Sequence, residues 1–314
     1  MSAIAPVALF LIGGVAGALA LLGLRPVLAH PALLRRNYRD IEVPTAAGLV
    51  FFPAYLLVFL VALIYYNLFP VSIMSEAHPS LVPLDFAFRM LLLVSGFCLL
   101  GLLDDVLGDR GDRGFAGHFS ELFHGRLTTG MLKAAGGFLL AAAVSATARP
   151  DFWMLLLNAA VIALSANLFN LLDLRPGRAI KVFLPAIAGV IALNFTEPRD
   201  VMPYLLAVAA ITLVLFPGDL SERFMLGDAG SNVMGAAVGL GFATGAGTWW
   251  KVGALVALIG LNVLSEAVSF SRVIESNRVL RWLDGLGRPE RQGGNGHYLG
   301  NPKGDGAREA NNND

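Results

Sequence analysis

The chain has 314 residues, 56% of them hydrophobic and 15% charged, with a mean hydropathy of +0.65. Soluble domains carry about 25% charged residues, so an ordinary soluble enzyme and a disordered protein are both excluded, and the single cysteine, Cys98, excludes a disulfide framework. The 23 Lys and Arg balance the 23 Asp and Glu, so the total charge points to no nucleic acid and to no other strongly charged partner.

The apolar residues come in blocks of roughly 17–25, the length that crosses a bilayer core of ~30 Å as a helix. They lack the period-two alternation of a transmembrane β-barrel. The first block, 3–24, has neither the basic n-region nor the cleavage site of a signal peptide, so it is read as the first span. The blocks 46–69, 86–103, 131–148, 152–172, 179–195, 202–217, 231–247 and 251–270 follow. The expectation is an all-α polytopic membrane protein of about nine transmembrane helices.

With the N-terminus outside, 19 of the 23 Lys and Arg fall in the inner segments 25–45, 104–133, 173–181, 218–230 and 271–314. That bias sets the orientation and puts the C-terminus in the cytoplasm. The expected organisation is a membrane domain over 1–275 and a cytoplasmic tail over 276–314. The tail is rich in Gly and Asn, has little to bury, and is expected to be largely disordered. Trp249 and Trp250 read as aromatic anchors at the outer edge. His118 and His124, in the long inner loop, read as solvated.

Asp104 and Asp105 end the apolar run 91–103. They either stop the span as a solvated helix end or hold a cation. Carboxylates at a helix C-terminus oppose its dipole, and two adjacent ones repel unless a cation or proton intervenes. Hard oxygen ligands beside a phosphate-handling surface suit Mg2+.

Asn167, Asn170 and Asp173 stand at i, i+3 and i+6 at the inner end of the fifth span, within about a third of the helix circumference. Polar groups at that depth face a cavity or the bundle interior, or form an interhelical hydrogen-bond ladder. Arg175 and Arg178 bracket a Pro176-Gly177 turn. They suit a diphosphate, because guanidinium pairs with phosphate bidentately, and equally suit simple anchoring on the positive side.

Gly227, Asp228 and Gly230 precede the eighth span. They either offer backbone N–H groups and a helix N-terminus to an anion or make Asp228 a plain N-cap. Lys133, about one turn into the fourth span, either snorkels or holds a lipid phosphate. All of these features fall on the cytoplasmic side.

Taken in order, the motifs resemble those of the polyprenyl-phosphate N-acetylhexosamine-1-phosphate transferases, glycosyltransferase family 4. This superfamily includes phospho-N-acetylmuramoyl-pentapeptide transferase and the UDP-N-acetylglucosamine–undecaprenyl-phosphate transferases. The resemblance covers roughly residues 20–275. It runs from the loop 36–48, whose Pro44-Thr-Ala-Ala-Gly48 is similar to a Pro-x-x-Gly-Gly entry, through Gly101-Leu-Leu-Asp104-Asp105 and Leu127-Thr-Thr-Gly-Met-Leu-Lys133. It continues in Asn167-x-x-Asn170-x-x-Asp173 and Phe224-Met-Leu-Gly227-Asp228-Ala-Gly230-Ser231.

Three features depart from the family pattern. The third motif continues as Asp173-Leu-Arg-Pro176-Gly177 where the family has a second aspartate. The segment 272–291 contains no histidine where the family has a cluster, His297 lying further on. The apolar blocks predict nine spans where the family commonly has a tenth.

The resemblance implies an Mg2+-dependent transferase, with Mn2+ an alternative ion, in a bacterial plasma (inner) membrane. It would move sugar-1-phosphate from a nucleoside-diphosphate sugar, UDP-linked in most relatives, to polyprenyl phosphate for cell-envelope polysaccharide or peptidoglycan precursors. It further implies catalytic and metal roles for Asp104, Asp105 and Asp228, and an acceptor-phosphate role for Lys133. Donor or metal contacts fall to Asn167, Asn170, Asp173, Arg175 and Arg178, and the superfamily contains homodimers. Two other classes compete: a polyprenyl-phosphate-binding protein without transferase activity, and a transporter of lipid-linked sugars. The gathering of carboxylates at one surface rather than near mid-membrane argues against the transporter.

Overall fold

A computed structural model describes residues 4–68, 84–108, 128–195 and 201–289. His118, His124 and His297 lie outside the described residues. Among the described residues, nine helices of 18 to 25 residues carry the fold: α1 (Ile4–Leu28), α2 (Phe51–Leu68), α3 (Leu84–Leu107), α4 (Thr129–Ala146), α5 (Phe152–Leu172), α6 (Arg178–Phe195), α7 (Met202–Leu220), α8 (Asp228–Gly245) and α9 (Thr248–Ala267). Two short ones follow, α10 (Phe270–Ser276) and α11 (Arg278–Gly285). The helical architecture is as expected, and seven of the helices are long and apolar enough to cross a membrane: 5–28, 47–68, 84–107, 129–146, 152–172, 202–220 and 248–267. The chain is a multi-pass membrane protein on that ground.

The surface agrees. On α1, Val7, Leu11, Val15, Leu19 and Leu22 are all more than half exposed. Their spacing of three or four residues makes one stripe along the helix, and an apolar stripe of that length belongs against lipid. Trp153, Trp249 and Trp250 stand exposed at the starts of α5 and α9. Aromatic rings of that kind belong at the level of the headgroups.

Helix α8 is different. Thirteen of its 18 residues are buried, and it packs on α3, α5, α6 and α7. A Cβ on Gly235 would come within 2.4 Å of the Ser165 carbonyl, and one on Gly239 within 2.8 Å of the Ile162 Cα. Small residues four apart let two backbones approach closely, as membrane helices do when packing rather than hydrophobicity holds them. The same glycines dilute the hydropathy of α8, so the bundle's central helix reads as a weak span.

Several boundaries move from their expected places. Helix α1 continues through Pro26 to Leu28, and α7 through Pro217 to Leu220, because neighbouring helices support proline inside a bundle. Helix α8 starts at Asp228 rather than at 231. The first inner loop carries two short antiparallel strands, β1 (Leu34–Arg36) and β2 (Glu42–Pro44), paired Leu34 to Pro44 and Arg36 to Glu42. The tail expected from 276 begins with the ordered helix α11, which is pinned to the bundle by ion pairs described below.

Candidate active site

The ends of α3 and α5 and the starts of α4 and α8 meet on one face of the bundle, with β2 and the turn after it beneath them. Two backbone contacts build that floor. The Met225 N–H donates to the Pro44 carbonyl at 2.7 Å, and the Gly48 N–H donates to Leu226 at 2.9 Å. A Cβ on Gly48 would lie 2.0 Å from the Gly230 nitrogen, and one on Gly101 would lie 2.3 Å from the Asp228 carbonyl. Only glycine fits at both places, so the loop 44–48 and helix α3 are drawn against the first turn of α8.

Three charged side chains from three helices meet there. The Lys133 ammonium donates to Asp104 Oδ2 at 2.7 Å and also to Asp228 Oδ2. The side chains of Lys133, Asp104 and Asp228 are 16%, 19% and 23% exposed. This is a sheltered cluster with an open side. The Asn170 amide donates to the same Asp228 oxygen at 3.3 Å, and Ser231 Oγ donates to Asn170 Oδ1 at 3.3 Å. Lys133 therefore bridges two carboxylates instead of snorkelling. Asp228 is the first residue of its helix and no N-cap; Gly227 holds that position with φ +71°.

Asp105 turns away from Lys133 to the start of α8. Its two oxygens accept the backbone N–H groups of Asp228 and Ala229, both at 3.0 Å. The first free N–H groups of α8 are thereby satisfied by a carboxylate on another helix, in the manner of an N-cap. The anion at this helix terminus is Asp105 itself, so these N–H groups do not wait for a phosphate. Arg35 answers the opposite dipole end: it donates to the Asp105 and Val106 carbonyls at 3.2 Å, which places a cation at the C-terminus of α3.

Asn167 also separates from the cluster. Its amide donates to Asn262 Oδ1 of α9 at 2.6 Å, an interhelical hydrogen bond. Asp173 caps the end of α5, where its N–H bonds to the Asn170 carbonyl. Burial first, and then the carboxylates of Asp219, Asp228 and Asp105, push its carboxyl well above the usual range, against the pull of the Gly227 amide.

The arginine pair is engaged elsewhere. Arg178 is 3% exposed and grips Asp284 through Nε at 2.8 Å and Nη2 at 3.1 Å, with Nη1 on Ser271. Arg175 pairs with Glu275 at 2.9 Å and stacks over the Tyr38 ring. Both guanidinium groups are occupied by the chain's own α10–α11 segment, so neither is poised as an open diphosphate clamp. Burial alone would raise the Asp284 carboxyl, but hydrogen bonds from Arg178 and Arg288 outweigh it and hold it below the usual range.

Two buried carboxylates were not anticipated. Asp219, 3% exposed, accepts the Gly177 N–H at 2.7 Å and the Leu226 N–H at 3.1 Å. It ties the Pro-Gly turn to the loop that carries Asp228. Glu222 accepts Asn37 Nδ2 at 2.9 Å and Tyr38 Oη at 3.3 Å, with Arg39 beside it. The only sequence signal for Asp219 is an acid inside the apolar end of a span, after Pro217-Gly218.

Among the described residues, no three His, Cys, Asp or Glu side chains gather as a metal-binding group. Asp104 and Asp228 do aim one oxygen each at a single cation, here the Lys133 ammonium. Mg2+ takes one or two carboxylates and fills its remaining positions with water and phosphate oxygens, and the pair fits that pattern. No protein-family model matches the chain, and no curated protein matches it.

Proposed function

We propose that this protein transfers sugar-1-phosphate from a nucleoside-diphosphate N-acetylhexosamine to polyprenyl phosphate, with Mg2+, at the cytoplasmic face of a plasma membrane. The reading includes nine crossings with the N-terminus outside, so that the face rich in Lys and Arg is cytoplasmic. The single observation behind it is the meeting of Asp104, Lys133 and Asp228 from α3, α4 and α8. These residues come from three of the motifs that carry the resemblance, and they form one charged cluster at a helix-bundle edge.

The chemistry follows from the charges. A cation balanced between two carboxylates is an exchange site. In that exchange Lys133 would bind the acceptor's phosphate, and Asp104 and Asp228 would hold Mg2+. The ion supplies neutralisation of the donor diphosphate's charge. Asn170 keeps the Asp228 carboxylate oriented. Asp173, at the end of α5, shapes the donor side. Asp105 positions Asp228 by fixing the helix that carries it.

A second reading is polyprenyl-phosphate binding without transfer. It is favoured by the closure of Arg178 onto Asp284, which leaves the donor diphosphate without its expected arginine clamp. Release of nucleoside monophosphate separates the two. Purified protein with undecaprenyl phosphate, Mg2+ and a panel of UDP-sugars releases UMP only with both lipid and metal if the transferase reading holds. Lipid binding with no UMP from any donor supports the binding reading.

A further inference from the structure

Helix α11 is mounted with its polar edge inward and its apolar face outward. At 100° per residue, Val279, Trp282 and Leu283 fall on one side of α11, with Leu286 just past its end. Asp284 falls on the other. The Asp284 side is the docked one: its carboxylate is gripped by Arg178 and by Arg288, and its carbonyl accepts Lys181 Nζ at 2.6 Å. The apolar side is bare. Val279 and Trp282 are each 64% exposed, and no residue of α10 or α11 is buried. Among the described residues, nothing covers the apolar face of this helix, which is held by its polar edge.

What covers that face is indicated by what precedes it. Only ten residues separate the end of α9 at Ala267 from the start of α11 at Arg278. Of α9, only Lys251 and Asn262 are buried, and its exposed Val256, Ile259, Val263 and Leu264 form a lipid-facing surface. The bare face of α11 follows that lipid-facing span closely in sequence, so it starts near the level where the span ends. Arg278 stands exposed at the edge of the apolar stripe, and Arg281 stands exposed on the polar side of the helix. An apolar face with arginines at its edge and on the polar side, set at the edge of a bilayer, is the pattern of an interfacial helix that favours anionic lipid.

We propose that α11 lies in the headgroup region of the membrane as an interfacial anchor. Its Val279, Trp282 and Leu283 sink to the upper acyl chains, and Arg278 and Arg281 bind anionic lipid phosphates. The anchor does not depend on the transferase reading. It sets the depth at which Asp284 holds Arg178.

The test uses full-length protein reconstituted into bilayers of phosphatidylcholine and phosphatidylglycerol in equal parts. Trp153, Trp249 and Trp250 are exposed, and a W153F/W249F/W250F background leaves Trp282 as the one fluorophore. The expected result is blue-shifted Trp282 emission, quenched by lipid brominated high on the acyl chain. Brominated phosphatidylglycerol quenches more than brominated phosphatidylcholine at equal mole fraction, by about two-fold or more, and R278Q/R281Q makes the two equal. Emission typical of water with quenching by acrylamide alone overturns the anchor. Shielding from both quenchers that grows with the protein-to-lipid ratio also overturns it, in favour of a second copy on this face. Equal quenching by both lipids, unchanged in R278Q/R281Q, overturns the anionic preference.

Discussion

Asp105 caps the helix that Asp228 begins. The two residues are 123 positions apart, and the Asp105 carboxylate accepts the Asp228 N–H at 3.0 Å. The adjacent Asp104 turns to Lys133 instead. An aspartate pair that reads as two equivalent ligands is divided into one structural and one cation-facing carboxylate.

That division makes Asp105 and Asp104 differ on substitution. Asp105→Ala removes the partner of two N–H groups and is expected to destabilise the fold by about 2 kcal/mol, the upper range for a helix cap. Asp104→Ala is expected to cost less stability, because Asp228 still pairs with Lys133. Thermal unfolding in detergent checks the order; equal losses in the two variants contradict it.

Lys133→Met leaves Asp104 and Asp228 facing each other without a cation. Stability is expected to fall, and Asp228→Asn added to Lys133→Met is expected to recover part of the loss, with a coupling of about 1–3 kcal/mol. Millimolar Mg2+ is expected to raise the melting temperature of Lys133→Met more than that of the unmodified protein, since the ion replaces the missing ammonium. A melting temperature of Lys133→Met indifferent to Mg2+ contradicts the exchange site.

Asn167 and Asn170 separate in the same way. Asn167→Leu breaks an α5–α9 hydrogen bond to Asn262, worth about 1 kcal/mol in a membrane. It is expected to lower stability while leaving the Mg2+ response intact. Asn170→Leu is expected to weaken the Mg2+ response with little change in stability. Mg2+ titrations of the melting temperature of both variants check the pair; the reverse pattern contradicts the assignment.

Much of this was legible in the sequence. Long apolar blocks announced the helices, and Asp104, Lys133, Asn170 and Asp228 stood out as polar groups at span ends. The partner of each did not. Arg178 looks like an inner-side anchor, yet it closes on Asp284, 106 positions away, and Asn167 shares a helical face with Asn170 while bonding a different helix. Asp219 was missed because one acid at a span end looks like an ordinary boundary; only the fold brings two loop amides to it. The strands β1 and β2, three residues each, are too short to leave a periodic signal.

The tail helix is expected to answer to pH through Asp284. Its carboxyl is held below the usual value of 3.8, so its ion pairs stabilise the docked helix fully above about pH 4. That stabilisation is lost as the pH falls through the lowered native value. Hydrogen exchange of α11 amides against pH is expected to show protection held to about pH 4 and lost below it. Asp284→Asn is expected to reduce protection at neutral pH. A transition centred near pH 6 or above contradicts this role.

The most direct measurement of the central claim is transfer of radiolabelled sugar phosphate from UDP-sugars to undecaprenyl phosphate, comparing the unmodified protein with Asp228→Asn and Lys133→Met. The account expects labelled lipid-diphosphate sugar from the unmodified protein only with Mg2+, and a loss of about 100-fold or more in each variant, the scale of removing a charge-stabilising group. Full Mg2+-dependent transfer by correctly folded Asp228→Asn would contradict it.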